Sequence, residues 1–395
     1  MDYHHYRNAL AETLAQSEVP FPAAEYQVRL AKVRRAMAQQ ELDALLLTDP
    51  ADINYLTGYH TFEVSVHACL VCTQGRLVLQ VASIETGAAV VTARVDEIIG
   101  YRWENLDEII TPLADLLNPC QKIGIDGWSS GLRFGVIDAL MQTIGRGRFS
   151  EAGALVDAIR IVKSPAELEM LQDSARITAL GLEAAIQSIQ PGMTDNDVAA
   201  VGAKALLENG SEFMSLQPIV TSGHRIGVIH VNHKRRVIQP NEPVFLEFGA
   251  AYQRYTAPMM RTAVTGQPSS ELASTRDLCR SLFESLCDTM RPGNTFDHAA
   301  QAADAFLSPQ RDQYFFSGVF GYAVGAQFPP SWVEGTGFIA KGQTRTFEAN
   351  MVFHLPLCLR VPGQWGVGIS DTVVVTERGA KPLTNNDWRL FEASS

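Results

Sequence analysis

The chain has 395 residues, more than one compact core usually holds, so we expect two domains. Hydrophobic residues make up 46% and charged residues 19%, which is typical of a globular protein and excludes a disordered one. The net charge of −11 does not complement a phosphate backbone, so we expect no nucleic-acid partner. No apolar run approaches the roughly 18 residues of a membrane span, and the first residues lack a signal-peptide core, which predicts a cytoplasmic protein with no membrane partner.

The first 160 residues alternate between helix-like and strand-like patterns. An amphipathic helix is predicted over residues 24–39, followed by a covered strand at Ala44-Leu45-Leu46-Leu47 and a turn-rich segment at Asp49-Pro50-Ala51-Asp52. Further strand-like runs at 77–81, 97–101 and 122–125 are interleaved with helix-like stretches near 85–92, 106–117 and 132–142. This alternation predicts an α/β layer domain.

A domain boundary is predicted just before Ser164-Pro165-Ala166-Glu167. Those residues supply an N-cap, a proline at the first helical position and a glutamate three residues after the cap, so a long helix should begin there and end near Ile189. A second helix should follow the cap at Thr194, and most of the chain after Gln217 is strand-like. We therefore predict an α/β domain over residues 1–163 and an α+β domain over residues 164–395.

Several motifs resemble those of a known superfamily. The N-terminal half resembles the creatinase-type N-terminal domain, and the C-terminal half resembles the pita-bread fold of creatinase, prolidase, aminopeptidase P and methionine aminopeptidase. The motifs that carry the resemblance are Ala44 to Thr48 with Asp52 to Tyr59, His230, Glu247-Phe248-Gly249, Arg261-Thr262, Gly321 to Gly325 and Ile369 to Thr372. The resemblance implies a creatinase-like N-terminal domain and a pita-bread catalytic domain. It also implies a homodimer in which the N-terminal domain of one subunit closes the active site of its partner.

Metallopeptidases of this fold hold two divalent cations with two aspartates, a histidine and two glutamates, because hard cations need anionic oxygen ligands. The resemblance places a different set at those five positions, namely Glu247, Pro258, Tyr322, Pro356 and Ser370. One carboxylate cannot offset the dehydration of two divalent ions. We therefore predict a site without metal, and no other cofactor.

Among metal-free branches of the fold, the chain resembles ectoine hydrolase more than creatinase. The shared features are Phe245-Leu246-Glu247, Tyr255 followed three residues later by Pro258, Gly321-Tyr322 running to Pro329-Pro330-Ser331-Trp332, and Phe353-His354. Creatinase has glutamates where this chain has Met260 and Pro356. Ectoine hydrolases in turn carry Gly-Trp-Ser where this chain has Thr61-Phe62-Glu63, so a loop that bears specificity differs.

The resemblance and the residues together predict hydrolysis of a C–N bond outside peptides, in a cyclic amidine, amide or guanidino group of a small nitrogen-rich substrate. His230 would move a proton to the departing nitrogen, although a lone histidine in an apolar setting is often a core residue. Glu247 interrupts an apolar strand, and burying an unpaired carboxylate there would cost free energy, so a specific role is expected for it. It could activate water, attack as a nucleophile, or pair with Arg261, which could equally bind a substrate carboxylate.

The remaining predicted site residues have weaker signals. Tyr322 would donate to an oxyanion and His354 would be a second proton-transfer group or a core histidine. Trp332, Tyr255 and Arg261 are predicted to bind substrate, Trp332 by presenting an aromatic face to a cationic or delocalised group. In the predicted dimer, Glu63 and His60 would reach the active site of the partner subunit, or would simply lie at the rim of that site.

Other interpretations are retained. The chain could be a peptidase that acts before proline, which would require metal. It could be a non-catalytic binding protein of this fold, which would not need buried ionisable groups. A lyase or a transferase could also use the same pocket. His67, His224 and His233 are predicted to be solvated or to cap loops. The pair Cys69 and Cys72 has no partner pair elsewhere, and all six cysteines are interpreted as reduced.

Overall fold

The computed structural model describes residues 2–384 and 387–393 and divides into two compact units, one ending at Arg160 and the other beginning at Ile161. Among the described residues, no helix is long and apolar enough to cross a membrane.

The N-terminal unit is built on a mixed six-stranded sheet in the order β4-β3-β2-β1-β5-β6, in which β1 runs antiparallel to β2 and parallel to β5. Its strands are β1 Ala44–Leu47, β2 Cys69–Thr73, β3 Leu77–Ala82, β4 Glu97–Tyr101, β5 Ile123–Ile125 and β6 Phe149–Glu151. Its helices are α1 Tyr3–Leu14, α2 Ala23–Gln39, α3 Pro50–Thr57, α4 Thr86–Thr92, α5 Asp107–Leu117, α6 Phe134–Ile144 and α7 Ala154–Arg160. The mixed sheet with helices is the predicted α/β architecture.

Strand β1 lies at the centre of this sheet and is covered on both faces. Leu45 and Leu47 pack in one core cluster with Val33 of α2, whereas Leu46 packs in a second cluster with Ile109 of α5. Successive side chains of a strand point to opposite faces, so a run of four apolar residues is what a doubly covered strand requires.

The segment predicted to be turn-rich before Asn54 is instead the start of helix α3. Asp49 caps it, because its carboxylate accepts the backbone N–H groups of Ala51 and Asp52 at 2.8 and 3.2 Å. Proline at the first helical position is compatible with this start. The helix ends at Gly58, whose φ of 83° is the left-handed conformation that glycine adopts readily.

The C-terminal unit contains a four-stranded sheet in the order β19-β11-β8-β7, a five-stranded sheet in the order β13-β12-β14-β17-β18, and the two-stranded pairs β9-β10 and β15-β16. Its strands are β7 Ile219–Ser222, β8 Pro243–Phe248, β9 Ala251–Tyr252, β10 Tyr255–Thr256, β11 Met259–Thr265, β12 Gly321–Val324, β13 Val333–Ile339, β14 Val352–His354, β15 Cys358–Val361, β16 Trp365–Gly368, β17 Thr372–Thr376, β18 Gly379–Pro382 and β19 Phe391–Ala393. Its helices are α8 Pro165–Ser188, α9 Asp195–Glu208, α10 Ser270–Thr289 and α11 Phe296–Leu307.

The two long helices that open this unit begin where the sequence predicts. Ser164 and Glu167 form a reciprocal capping box at the start of α8, and Thr194 and Asp197 form one at the start of α9. Apolar side chains of both helices pack with β8 and β11 in one core cluster. A β-bridge between Met260 and Ser370 then joins the four-stranded sheet to the segment before β17, and the candidate site lies at this junction.

Candidate active site

Glu247 is a buried carboxylate in strand β8, flanked by Leu246 and Phe248 in the core. No hydrogen bond joins its carboxylate to another residue of the described chain. Burial raises the pKa of Glu247 to about 7, and the positive charge of Arg360 opposes that rise. The group therefore titrates near neutral pH, as a general base or nucleophile should.

Arg261 does not pair with Glu247, so the alternative in which the two form an ion pair is wrong. Neighbouring positions of a strand face opposite ways, and it is Met260, not Arg261, that lies across from Glu247 in the β8–β11 pairing. The Arg261 guanidinium lies 3.0 Å from the Asp371 carboxylate and donates to the Ser370 carbonyl at 2.6 Å. Both charged side chains are almost fully buried. Arg261 thus holds the segment that carries Ser370 and Asp371.

Replacing Arg261 by methionine should destabilise the C-terminal unit by about 3 kcal/mol, because it leaves the Asp371 carboxylate buried without its cation. The double variant Arg261→Met with Asp371→Asn should recover much of the loss, and Arg378→Met, at an exposed position, should change little. Scanning calorimetry measures the melting temperature of each. Equal melting temperatures for Arg261→Met and the wild type would contradict a structural role for Arg261.

A continuous row of hydrogen bonds links four side chains beside this ion pair. The Trp332 indole N–H donates to the Tyr322 hydroxyl at 2.8 Å, His354 Nδ1 lies 2.7 Å from the same hydroxyl, and His354 Nε2 lies 2.5 Å from Ser370 Oγ. Antiparallel pairing sets the middle contact, since Tyr322 of β12 lies directly across from His354 of β14. Ser370 Oγ also accepts the backbone N–H of Met260 at 2.8 Å.

The row works with a neutral histidine. Burial, and secondarily the Arg261 charge, lower the pKa of His354 to about 3, so one ring nitrogen donates and the other accepts. If Tyr322 donates to His354, Ser370 keeps a hydroxyl proton to give. If Ser370 donates to His354, the proton of Tyr322 is free to give. Either the Ser370 hydroxyl or the Tyr322 hydroxyl can therefore donate a hydrogen bond to a further group while the imidazole of His354 stays neutral.

Glu247 and Tyr322 are close enough to influence each other electrostatically. Burial raises the pKa of Tyr322 well above its ordinary value, and the Glu247 charge contributes to the rise. Tyr322 therefore keeps its proton at physiological pH and acts as a donor, not as a phenolate. The site combines a carboxylate that titrates near neutrality with a neutral hydrogen-bond donor.

His230 is not the core residue that its apolar sequence neighbours would suggest. It is exposed in a turn, with φ of 60°, which is uncommon for a residue other than glycine. The turn is tied to the site through Ile226, which packs with Phe245 and Met260 and whose carbonyl accepts Arg360 Nε at 3.1 Å. His230 therefore follows by four residues a position that packs against β8 and β11, and it is an exposed group, not a buried one.

Other predicted residues have definite positions in the structure. Tyr255 is buried, and its hydroxyl donates to Glu167 at 3.0 Å. Trp332 is also buried, and its ring lies edge-on to His354 with centroids 6.4 Å apart. In the N-terminal unit, Glu63 accepts from the hydroxyl and N–H of Ser65, and the backbone N–H of His60 donates to Thr92.

The three histidines expected to be solvated or to cap loops differ from one another. His224 is exposed in a short 3-10 helix, in agreement with that prediction. His233 is partly buried and its backbone N–H is bonded to the Asn232 side chain. His67 is 5% exposed, so the prediction that it is solvated is wrong.

The residues at the junction do not fit the paired divalent cations of metallopeptidases with this fold. Of the five positions that the resemblance assigns, two are prolines, whose side chains have no donor atom. The hydroxyls of Tyr322 and Ser370 are bonded to His354, and Glu247 is the one carboxylate. Within residues 2–384 and 387–393, no cluster of three histidine, cysteine or acidic side chains could hold a metal ion. Two divalent ions need several anionic oxygens.

Comparison with protein families identifies the chain. Residues 169–377 match the model of metallopeptidase family M24, and residues 29–162 match the creatinase/prolidase N-terminal domain. The chain belongs to family M24. Its fold is therefore a creatinase-type α/β domain followed by a pita-bread domain, which confirms the predicted fold class.

Relatives of this family member cover nearly its whole length. The ectoine hydrolase of Halomonas elongata is 27% identical over 96% of this chain and 100% of its own. The Xaa-Pro dipeptidase of Pyrococcus furiosus is 23% identical over 92% of this chain and 99% of its own. The prolidase structure from Pyrococcus horikoshii OT3 has a TM-score of 0.81 at 22% identity, over 92% of this chain and 100% of that one. The chain is a hydrolase of the M24/creatinase family.

Sequence reasoning missed two groups of this site. It named Ser370 only as a lost ligand position, although a hydroxyl there completes the row with His354. It did not consider Arg360, the cation whose charge opposes the rise in the pKa of Glu247. A signal existed for Arg360, since it stands in a strand that is otherwise apolar.

Proposed function

We propose that this M24-family protein hydrolyses a C–N bond outside peptides in a small nitrogen-rich compound, and does so without metal. The supporting observation is Glu247, a buried carboxylate with a pKa near 7 beside the neutral donor Tyr322. A site with one such carboxylate suits acid–base or nucleophilic chemistry better than paired cations.

In the proposed reaction, ionised Glu247 takes a proton from water, and the hydroxide adds to the electrophilic carbon. Tyr322 donates to the oxygen or nitrogen that becomes negative, and His354 and Trp332 hold Tyr322 in position. As the C–N bond breaks, the departing nitrogen takes a proton, which we assign to His230 on its exposed turn. Direct attack by Glu247 would instead give a covalent adduct, and incorporation of ¹⁸O from solvent into Glu247 would reveal it.

The relatives and the row of hydrogen bonds support the proposed substrate class. A cyclic amidine, guanidino acid or lactam has a planar carbon bonded to nitrogen, which a carboxylate-activated water can attack. The relative from Halomonas elongata is an ectoine hydrolase, at 27% identity. The loop Thr61-Phe62-Glu63 differs from that family's triplet, so we propose a related compound and not ectoine itself.

Chelation should leave the activity intact. Turnover of cyclic amidines, guanidino acids, lactams and proline dipeptides would be measured by product release, with and without EDTA, alongside elemental analysis of the purified protein. We expect turnover of a compound from the first three groups, unchanged by EDTA, and well below one metal ion per chain.

Two outcomes would overturn this proposal. Turnover of proline dipeptides that requires two metal ions per chain would establish an Xaa-Pro peptidase. Saturable binding of these compounds without turnover of any would establish a non-catalytic binding protein.

A further inference from the structure

The N-terminal unit contains a cavity of about 180 Å³, walled by the segment around Tyr59 to Ala68 and by residues 130 to 133. Liquid water occupies about 30 Å³ per molecule, so this space would suit a compound of a few heavy atoms. Its lining is mixed: Ile53 and Val81 are apolar, whereas His67, Glu85 and Arg133 are polar or charged. Small-molecule sites commonly combine an apolar wall with a few convergent polar groups.

His67 is the first indication that the cavity binds something. It is 5% exposed, and neither ring nitrogen has a hydrogen-bond partner in the part of the chain that the structure describes. Burial, with a contribution from Arg133, lowers the pKa of His67 to about 4, so the ring is neutral and offers one donor and one acceptor. Leaving buried polar groups unbonded costs roughly 1 to 3 kcal/mol each.

Glu85 is the second indication. Its carboxylate is buried, and both hydroxyls that bind it, from Tyr59 at 3.2 Å and Thr61 at 2.7 Å, donate to the same oxygen, Oε2. Among the described residues, no hydrogen bond reaches Oε1. A cationic N–H group is the complement of a buried carboxylate oxygen.

Arg133 supplies the opposite charge at the exposed edge of the cavity. One of its Nη atoms donates to the Ser65 carbonyl, which ties the two cavity walls together. The residue is exposed, whereas Glu85 is buried, so the charges are ordered from a positive rim to a negative interior. Glu63, half-buried at the rim, is already bonded to Ser65.

We propose that this cavity binds a small zwitterion. The cationic N–H group of the ligand contacts Glu85 and the neutral His67, and the carboxylate of the ligand contacts Arg133. A simple anion would meet the carboxylate of Glu85 inside, and a simple cation would have to pass the guanidinium of Arg133 at the rim. A molecule with both charges satisfies the two groups together. This proposal rests on residues of the N-terminal unit and does not use Glu247 or Tyr322.

Isothermal titration calorimetry on the full-length protein tests the proposal with four probes: β-alanine, glycine betaine, acetate and methylammonium. We expect saturable binding of β-alanine only, because glycine betaine has no N–H group and the other two have one charge. Arg133→Gln and Glu85→Gln should each weaken binding roughly tenfold to a hundredfold, since each removes a charge-assisted hydrogen bond.

Three controls keep the result interpretable. Arg35→Gln removes an exposed positive charge of helix α2 and should leave β-alanine affinity unchanged. His67→Gln, which retains a donor and an acceptor, should weaken binding less than His67→Leu, and circular dichroism would show that each variant is folded. Glu247→Gln should bind β-alanine as the wild type does. Absence of saturable binding, equal binding by Arg133→Gln, or binding of acetate in preference to β-alanine would overturn the proposal.

Discussion

Replacing Glu247 by glutamine is expected to abolish turnover and to stabilise the protein above neutral pH. Glutamine keeps the size of the side chain but cannot accept a proton or attack as a carboxylate. Loss of a general base typically lowers kcat by roughly 10² to 10⁴-fold, and loss of a nucleophile can lower it further. A residue with a purely structural role would not combine lost activity with gained stability.

The stability gain follows from the pKa of Glu247. Burial raises it from the ordinary 4.5 to about 7, so between these pH values the folded protein holds a proton that the unfolded chain has released. The contribution of Glu247 to stability is therefore most favourable below pH 4.5 and is lost as the pH rises through about 7. The cost at pH 8 is on the order of 3 kcal/mol, and Glu247→Gln removes it.

Scanning calorimetry and kinetics at a series of pH values test both effects. The melting temperature of Glu247→Gln should exceed that of the wild type at pH 8, and the difference should shrink toward pH 5. The matched control is Glu169→Gln, which neutralises an exposed carboxylate of helix α8 and should change neither property. A melting temperature for Glu247→Gln below that of the wild type at pH 8 would show that the carboxylate is stabilised by a partner.

The pH dependence of kcat/KM should report the same group. If ionised Glu247 is the base or nucleophile, kcat/KM rises about tenfold per pH unit below the pKa and levels off above about pH 7. His354 should not contribute an inflection between pH 5 and 9, because its pKa is lowered to about 3. A rate that falls as the pH rises through 7 would instead identify Glu247 as a general acid.

Much of the fold could be predicted because its signals are local. The capping residues at Ser164 and Thr194 mark helix starts through contacts within three positions, and the run at β1 reports burial on both faces directly. Helix α3 was not predicted because Asp49, Pro50 and Asp52 suggest a turn. The same residues also suit the start of a helix, with Asp49 as the cap and Pro50 at the first helical position, when an apolar stretch follows. Helix α1 carries a weak pattern with no buried residue, so its sequence gave no comparable indication.

The candidate site was predictable in its residue types but not in its pairings. Glu247 and His354 each stood out as polar groups in apolar strands, whereas Tyr322 was indicated by the resemblance, which places it at a metal-ligand position. Asp371, which pairs with Arg261, lies 110 positions away in sequence, and Ser370 and Tyr322, which bond to His354, lie 16 and 32 positions away. Strand register decides which of these side chains meet. His230 shows the opposite error, because apolar neighbours on an exposed turn resemble a strand when only the sequence is available.

The hydroxyl of Tyr322 should contribute through kcat more than through KM. Replacing Tyr322 by phenylalanine removes the donor to the developing negative charge, and removal of one such donor typically costs roughly 10² to 10³-fold in kcat. Binding of the ground-state substrate should change little, because that charge develops only in the transition state. The variant also leaves the Trp332 N–H and His354 Nδ1 without their shared partner, so a lower melting temperature is expected.

Kinetics below the melting temperature of each variant separate catalysis from stability. Tyr314→Phe is the matched control, since it removes a tyrosine hydroxyl that is bonded to Thr275 at 2.8 Å, outside the row. Ser370→Ala should lower kcat by a smaller factor, because Ser370 acts on Tyr322 through His354. The double variant Tyr322→Phe with Ser370→Ala should then be no slower than Tyr322→Phe, since residues that act as one unit are not additive. Multiplied losses in the double variant would mean that Ser370 contacts the substrate independently of Tyr322.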